Sequence, residues 1–311
     1  MPPKRSSISS IGRGSSADSA KLGNEESGMV RTVVRTFGDV KEEFTEQVLG
    51  VLRECYSRID ADAVAIVDLY LFEKSSTMNA FVSEEKRRLG IKTSAFEASY
   101  YALHDAWHGT PRIMVAYDMM SALPELVRTG SLRHEAAHTM IHGSLEFYSF
   151  PLSPSLLRLE ERGVVSRSVA RDVLHLVSVA VKDFEVTRLL YENHFVEDQV
   201  AFNKHILEPS EEDREAWELA EKNQTARLLV LVSILKTIFC AAPLLKDHDH
   251  GGEISESIKK SLSHLPERTS ESLLRILDIA EKLGKNTHEN VDLLLGETID
   301  ELLIGRKTFG R

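Results

Sequence analysis

The chain has 311 residues, with 38 Lys and Arg against 48 Asp and Glu and a net charge of −10. That length suits one large domain or two modest ones, and the acidic balance disfavours nucleic acid as a partner, because phosphate binding needs a basic surface. Cys55 and Cys240 stand far apart and no CxxC occurs, which argues against a disulfide framework or a thiolate zinc site and fits a reducing, cytoplasmic compartment.

Residues 1–30 are rich in Ser and Gly, with scattered charge and no apolar run of a signal peptide, so they are expected to form a disordered tail. From Asp39 to Tyr56, the residues Val40, Phe44, Val48, Leu52 and Cys55 recur at spacings of four and three, the stripe of an amphipathic helix. Ala63–Phe72 is dense in β-branched and aromatic residues and predicts a strand. Met78–Ser83 reads as a second, shorter strand, Lys92–His108 as a helix, and Arg112–Asp118 as a third strand introduced by Gly109 and Pro111. A helix from Pro124 follows, with Gly130 either ending it or standing inside it. After Pro151 and Pro154, helices are expected at about 168–193, 211–241, 255–264, 270–283 and 291–304, with a polar, Gly-rich loop at 244–253. Ala226–Leu245 is the most membrane-like stretch. Lys236 interrupts it and Arg227 and Pro243 crowd its ends, so a buried core helix is expected and no membrane partner.

The stretch His134-Glu135-Ala136-Ala137-His138 carries the chemistry. On a helix, residues i and i+4 share a face, so His134 and His138 can offer two imidazole nitrogens to one ion. Glu135 lies a step round the helix, placed to act on a water as general base rather than as a ligand. Ala136, Ala137, Met140, Ile141 and Leu145 make the helix apolar over most of its circumference, and ionisable groups on a buried helix need a partner or a metal. Two histidines hold zinc poorly without a third ligand. His142 is one turn further along; three successive turns span about 12 Å, too far for one ion, which leaves it a role behind the ligands or in the cleft wall.

A helix, a small sheet, a last strand and then a helix bearing HExxH resembles the N-terminal half of the zincin metallopeptidases, over roughly residues 36–190. The resemblance implies an α+β fold, with a small antiparallel or mixed sheet packed on the HExxH helix and a mainly helical C-terminal region. It also implies that Arg112–Asp118 is the edge strand that receives an extended peptide. The metzincin branch needs a third His where Ser144 stands, so the chain is similar instead to gluzincins, which draw a carboxylate from a later helix.

On the helix around Ala180–Leu190, plotted at 100° per residue, Arg171, His175, Ser178, Lys182 and Glu185 form a polar stripe expected to face solvent. Asp183 falls among Leu176, Val179, Ala180, Val186 and Leu190, where a carboxylate needs a partner. In HtpX-type and ImmA-type peptidases the ligand Glu opens a segment E-x-x-A-[DN]. Asp183 aligns with that Glu, while Thr187 stands where the acidic or amide residue would be. Asp183 is thus the expected third ligand, with Glu185 the alternative.

The expected activity is that of a zinc-dependent metallopeptidase acting on a peptide or protein, with His134, His138 and Asp183 on Zn2+ and Glu135 as base. His142 and Tyr148 are candidates for the outer layer or for oxyanion stabilisation. The alternative is a non-catalytic zincin-like metal-binding or interaction domain. A DNA-associated SprT kind is disfavoured by the charge and the lack of a zinc ribbon. His104 and His108 form a second pair at i, i+4 in HDAWH, read as packed helix, and His248 and His250 fall in a solvated loop. The expected organisation is a tail at 1–30, a zincin-like core at 31–207 and a helical region at 208–311.

Overall fold

The computed structural model describes residues 30–59, 64–91 and 101–304. The tail expected at 1–30 lies outside the described residues apart from Val30, as do residues 92–100 of the helix expected at 92–108. The architecture is α+β. Strand β1 (Arg31–Phe37), helix α1 (Glu42–Arg58) and strand β2 (Ile66–Phe72) open the chain, and α2 (Ser75–Leu89) follows. Then come β3 (Ala102–Asp105), β4 (Arg112–Ala116), a short α3 (Tyr117–Met120) and α4 (Glu125–Ile141), which carries HEAAH. From α5 (Pro154–Glu161) onward the described chain is helical: α6 (Arg167–Glu192), α7 (Glu197–Ile206), α8 (Glu211–Ala220), α9 (Gln224–Ala241), α10 (Gly251–Ser261), α11 (Glu267–Leu277) and α12 (Thr287–Ile299).

The sheet has the order β1-β2-β4-β3, with β1, β2 and β4 parallel and β3 antiparallel to β4. Alternation along the strands sorts its two faces. Val67, Leu69 and Leu71 of β2, Ile113 and Val115 of β4 and Ala102 of β3 share one cluster with Phe44, Val48, Leu52 and Cys55 of α1 and Leu132, Ala136, Ala137 and Met140 of α4. Tyr70, Phe72, Met114 and Ala116 face the other way, onto Met78 and Val82 of α2. Both faces are covered, as a largely parallel sheet requires.

Four expectations are corrected. Met78–Ser83 is not a strand but the middle of α2, whose buried residues Met78 and Val82 are spaced one helical turn apart; the helix ends on Gly90 in the left-handed region. Residues 102–105 form a strand rather than a helix, because β4 offers them an unpaired edge. Strand β4 is not the edge strand: it is paired with β2 on one side and β3 on the other, and β3 stands at the border beside α4. The helix expected at 211–241 is two helices, divided where the Asn223 side chain accepts from the Ala226 N–H at 3.0 Å and starts α9.

One apolar cluster runs through α5 to α12, from Leu156 to Ile299, with α6 and α9 packed along each other at its centre. The segment Gln224–Lys246 is long and apolar enough to cross a membrane, but 72% of its most apolar window is buried within the molecule, where it serves as a core helix. Gly130 stands inside α4, and α7 explains why. A Cβ there would lie 2.3 Å from the Asp198 carbonyl oxygen, and the Gln199 side-chain amide donates to the Gly130 carbonyl at 2.9 Å. Gly130→Ala, which gains helix propensity elsewhere, should here cost about 1–3 kcal/mol by forcing α7 away from α4. Urea unfolding of the variant beside wild type measures it.

Candidate metal centre

Helix α4 starts after Pro124 and presents His134 and His138 on the face that meets α6. Their Nε2 atoms lie 3.1 Å apart. Asp183 of α6 brings Oδ1 to 3.2 Å from His138 Nε2 and 3.7 Å from His134 Nε2. Ligands on a tetrahedral ion with bonds of about 2.0–2.1 Å sit about 3.3–3.4 Å from each other, so the triangle has the size a divalent ion requires. The imidazoles are nearly fully buried, while Asp183 keeps 19% and Glu135 13% of the side chain exposed, so the carboxylates mark the open side.

Protonation follows from the surroundings. Burial, reinforced by the neighbouring His104, holds His138 well below the ordinary imidazole range, so it is neutral. Burial alone would raise the Asp183 carboxyl, but hydrogen bonds with His134 and His138 outweigh it and keep Asp183 ionised. A neutral imidazole and a carboxylate are the forms that bind a metal.

The other candidate carboxylate is engaged elsewhere. Glu185 is buried, not solvent-facing, and only Arg171 and His175 of the expected polar stripe are exposed, while Ser178, Lys182 and Glu185 turn inward. Its Oε2 lies 3.0 Å from His142 Nε2 and accepts from Thr287 Oγ1 at 2.7 Å, and its Oε1 accepts from Asn290 Nδ2 at 2.6 Å. The stripe fails as a solvent face because α12 covers that side of α6 and supplies Thr287 and Asn290. A carboxylate only accepts, so His142 Nε2 carries the proton. His142 Nδ1 then lies 3.1 Å from His138 Nδ1 and can accept its N–H whenever a metal takes the lone pair of His138 Nε2, the atom that faces Asp183. His142 can therefore orient the His138 ring from behind. His134 has no such support: its Nδ1 is buried without a hydrogen-bond partner, and its ring leans on Phe202 of α7 at 5.1 Å between centroids.

His104 lies in a strand, not in the packed helix that its i, i+4 spacing with His108 predicts. In β3 it pairs opposite Ile113, hence on the face towards α4, while Asp105 turns the other way onto Arg112 at 2.8 Å. His104 Nδ1 meets Glu135 Oε2 at 2.7 Å, and its ring stacks on that of His138 at 3.8 Å between centroids. His108 instead pairs with Glu85 at 2.7 Å. Tyr148, in a short 3-10 turn at Leu145–Tyr148, has a buried hydroxyl without a hydrogen-bond partner, and Glu135 and Asp105 are among the charges that act on it. Lys182 donates to the Phe147 carbonyl at 3.3 Å and lies over the Tyr148 ring, holding that turn against α6; burial lowers its pKa to about 8. His248 is almost wholly exposed, next to Asp249, and His250 precedes α10.

Cys240 of α9 is the residue that the sequence passed over. The absence of CxxC argued against a thiolate site, yet a nitrogen of His134, an oxygen of Asp183 and Cys240 Sγ all lie within 4.8 Å of one another. This buried cluster could hold a metal ion. No local signal reveals Cys240, which belongs to an apolar stretch and reaches the site only because α9 packs along α6.

No family model, no curated protein and no solved structure matches the chain.

Burial lowers the pKa of His142 from 6.5 to about 4, helped by Lys182 and opposed by the hydrogen bond to Glu185. Below pH 6.5 the unfolded chain takes up a proton that the folded chain refuses until about pH 4, so stability falls as the pH drops through that window, by about 3 kcal/mol for this group. Metal-free protein should therefore unfold at lower urea at pH 5 than at pH 7. His142→Gln, which cannot titrate, should flatten that dependence.

Proposed function

We propose that the chain is a zinc-dependent metallopeptidase. The observation that carries this reading is the convergence of His134 Nε2, His138 Nε2 and Asp183 Oδ1 within 3.1–3.7 Å, with Glu135 beside them on the same helix. Two imidazoles and a carboxylate suit zinc better than harder ions, which prefer all-oxygen shells. A divalent ion there would lower the pKa of a water and polarise a carbonyl. The remaining work falls to the chain's own groups. Glu135 accepts the proton of the attacking water and returns it to the leaving amine. His104, 2.7 Å from Glu135, fixes the direction of that carboxylate. The partnerless Tyr148 hydroxyl is a donor available to the developing oxyanion.

An extended peptide would enter along β3. Among the described residues that strand pairs only with β4, so its outer edge is open to a backbone added by β-augmentation, with His104 and Glu135 close behind it. Two buried free cysteines accord with a reducing, cytoplasmic setting. The net charge of −10 favours a protein or peptide substrate over nucleic acid.

Glu135→Gln should lower hydrolysis of a denatured protein by about 10²–10⁴-fold while one zinc per chain is retained. Asp183→Ala should lose both zinc and activity. Undiminished hydrolysis by Glu135→Gln would sink the mechanism, and zinc retained in full by Asp183→Ala would remove Asp183 from the ligand set.

A further inference from the structure

Three helices meet at this centre, and each brings a metal-binding atom. Helix α4 supplies His134 and His138, α6 supplies Asp183, and α9 supplies Cys240 one residue before its end. Cys240 is fully enclosed, and its Sγ lies 3.5 Å from Thr187 Oγ1. Thr187 follows Asp183 by four residues and so shares its face of α6. Cys55 makes the contrast: it is equally buried, but its Sγ faces the Arg133 carbonyl at 3.9 Å, on the far side of α4 among the residues of α1. One cysteine fills the core; the other stands among ligands.

Cys240 Sγ meets His134 and Asp183 within 4.8 Å, and His138 Nε2 lies 3.1 Å and 3.2 Å from those same two residues. We infer that Cys240 is the fourth protein ligand, and that an ion drawing it together with His134, His138 and Asp183 closes the metal site at rest. The mixed nitrogen, oxygen and sulfur donors select a borderline ion such as zinc or cobalt and disfavour magnesium and calcium. On coordination the S–H bond breaks, a metal–sulfur bond forms, and the proton passes to solvent. Four-coordinate sites with no vacancy are characteristic of closed centres, whereas hydrolytic ones keep a position for water. In this chain, then, water or substrate reaches the ion only when the Cys240 thiolate leaves it. The inference rests on the metal centre of the proposed function, and not on peptidase activity.

The test uses cobalt(II) alone added to the full metal-free chain, with absorption spectra of wild type, Cys240→Ala, Cys240→Ser and Cys55→Ala. Wild type and Cys55→Ala should each take up one cobalt and show an intense near-ultraviolet thiolate-to-cobalt band. Both Cys240 variants should still take up cobalt, lack that band, and bind zinc at least about 10-fold more weakly in a chelator competition, the lower bound of what even outer-shell losses cost. Cys240→Ser preserves the volume of the side chain and guards against a packing artefact. Cobalt bound by wild type without the thiolate band, or a band unchanged in Cys240→Ala, overturns the inference and leaves the three-ligand site standing. No cobalt bound by wild type overturns the inference and the zinc reading together.

Discussion

A helix buried against a sheet and three other helices cannot carry His134, Glu135 and His138 unless each polar atom finds a counterpart, and the rest of the molecule is arranged around meeting that demand. Asp183 answers the two imidazoles from α6, His104 answers Glu135 from β3, and His142 passes the remaining nitrogen of His138 on to Glu185. The cost of burying these groups is offset by mutual pairing, so the packing of α4, α6 and the sheet edge is specified by chemistry as well as by apolar fit. His134 Nδ1, whose ring leans on Phe202, and His104 Nε2 are exceptions, buried without a hydrogen-bond partner.

Two carboxylates two residues apart on α6 take opposite parts. Asp183 is short and faces α4 at the partly open side of the cluster; Glu185 lies on the side that α12 covers and is saturated by three side-chain partners. The division follows from helix geometry, since two residues along turn a side chain by about 200°. Each is committed by its surroundings: one to the inner triangle, the other to orienting the ring behind it.

How much of this was legible depended on the range of the interaction. The pair at i, i+4 in HEAAH, the base beside it and the phase of Asp183 are local, and periodicity reads local relations well. Glu185 was misjudged because phase alone cannot tell a solvent face from one covered by a later helix, and α12 is more than a hundred residues away. His104 was hidden by a spacing that mimics a helix; the informative sign was Asp105 and Arg112 flanking a turn, which only strand pairing brings together. Met78 and Val82 could have been read correctly, since their spacing is helical. Cys240 offered no sign at all, as its neighbours in sequence are apolar and its neighbours in space belong to two other helices.

The anchoring of Glu185 by Thr287 and Asn290 spans 102 and 105 residues of chain. During synthesis, α4 and α6 leave the ribosome long before α12, so the imidazole pair can form while the hydrogen bonds that orient His138 cannot. Until α12 has emerged, a nascent chain therefore lacks the hydrogen bonds that anchor Glu185, and any ion the cluster could hold would meet a less ordered ring. The order of emergence thus sets when this inner layer can form, and a product that stops before α12 would leave Glu185 without Thr287 and Asn290.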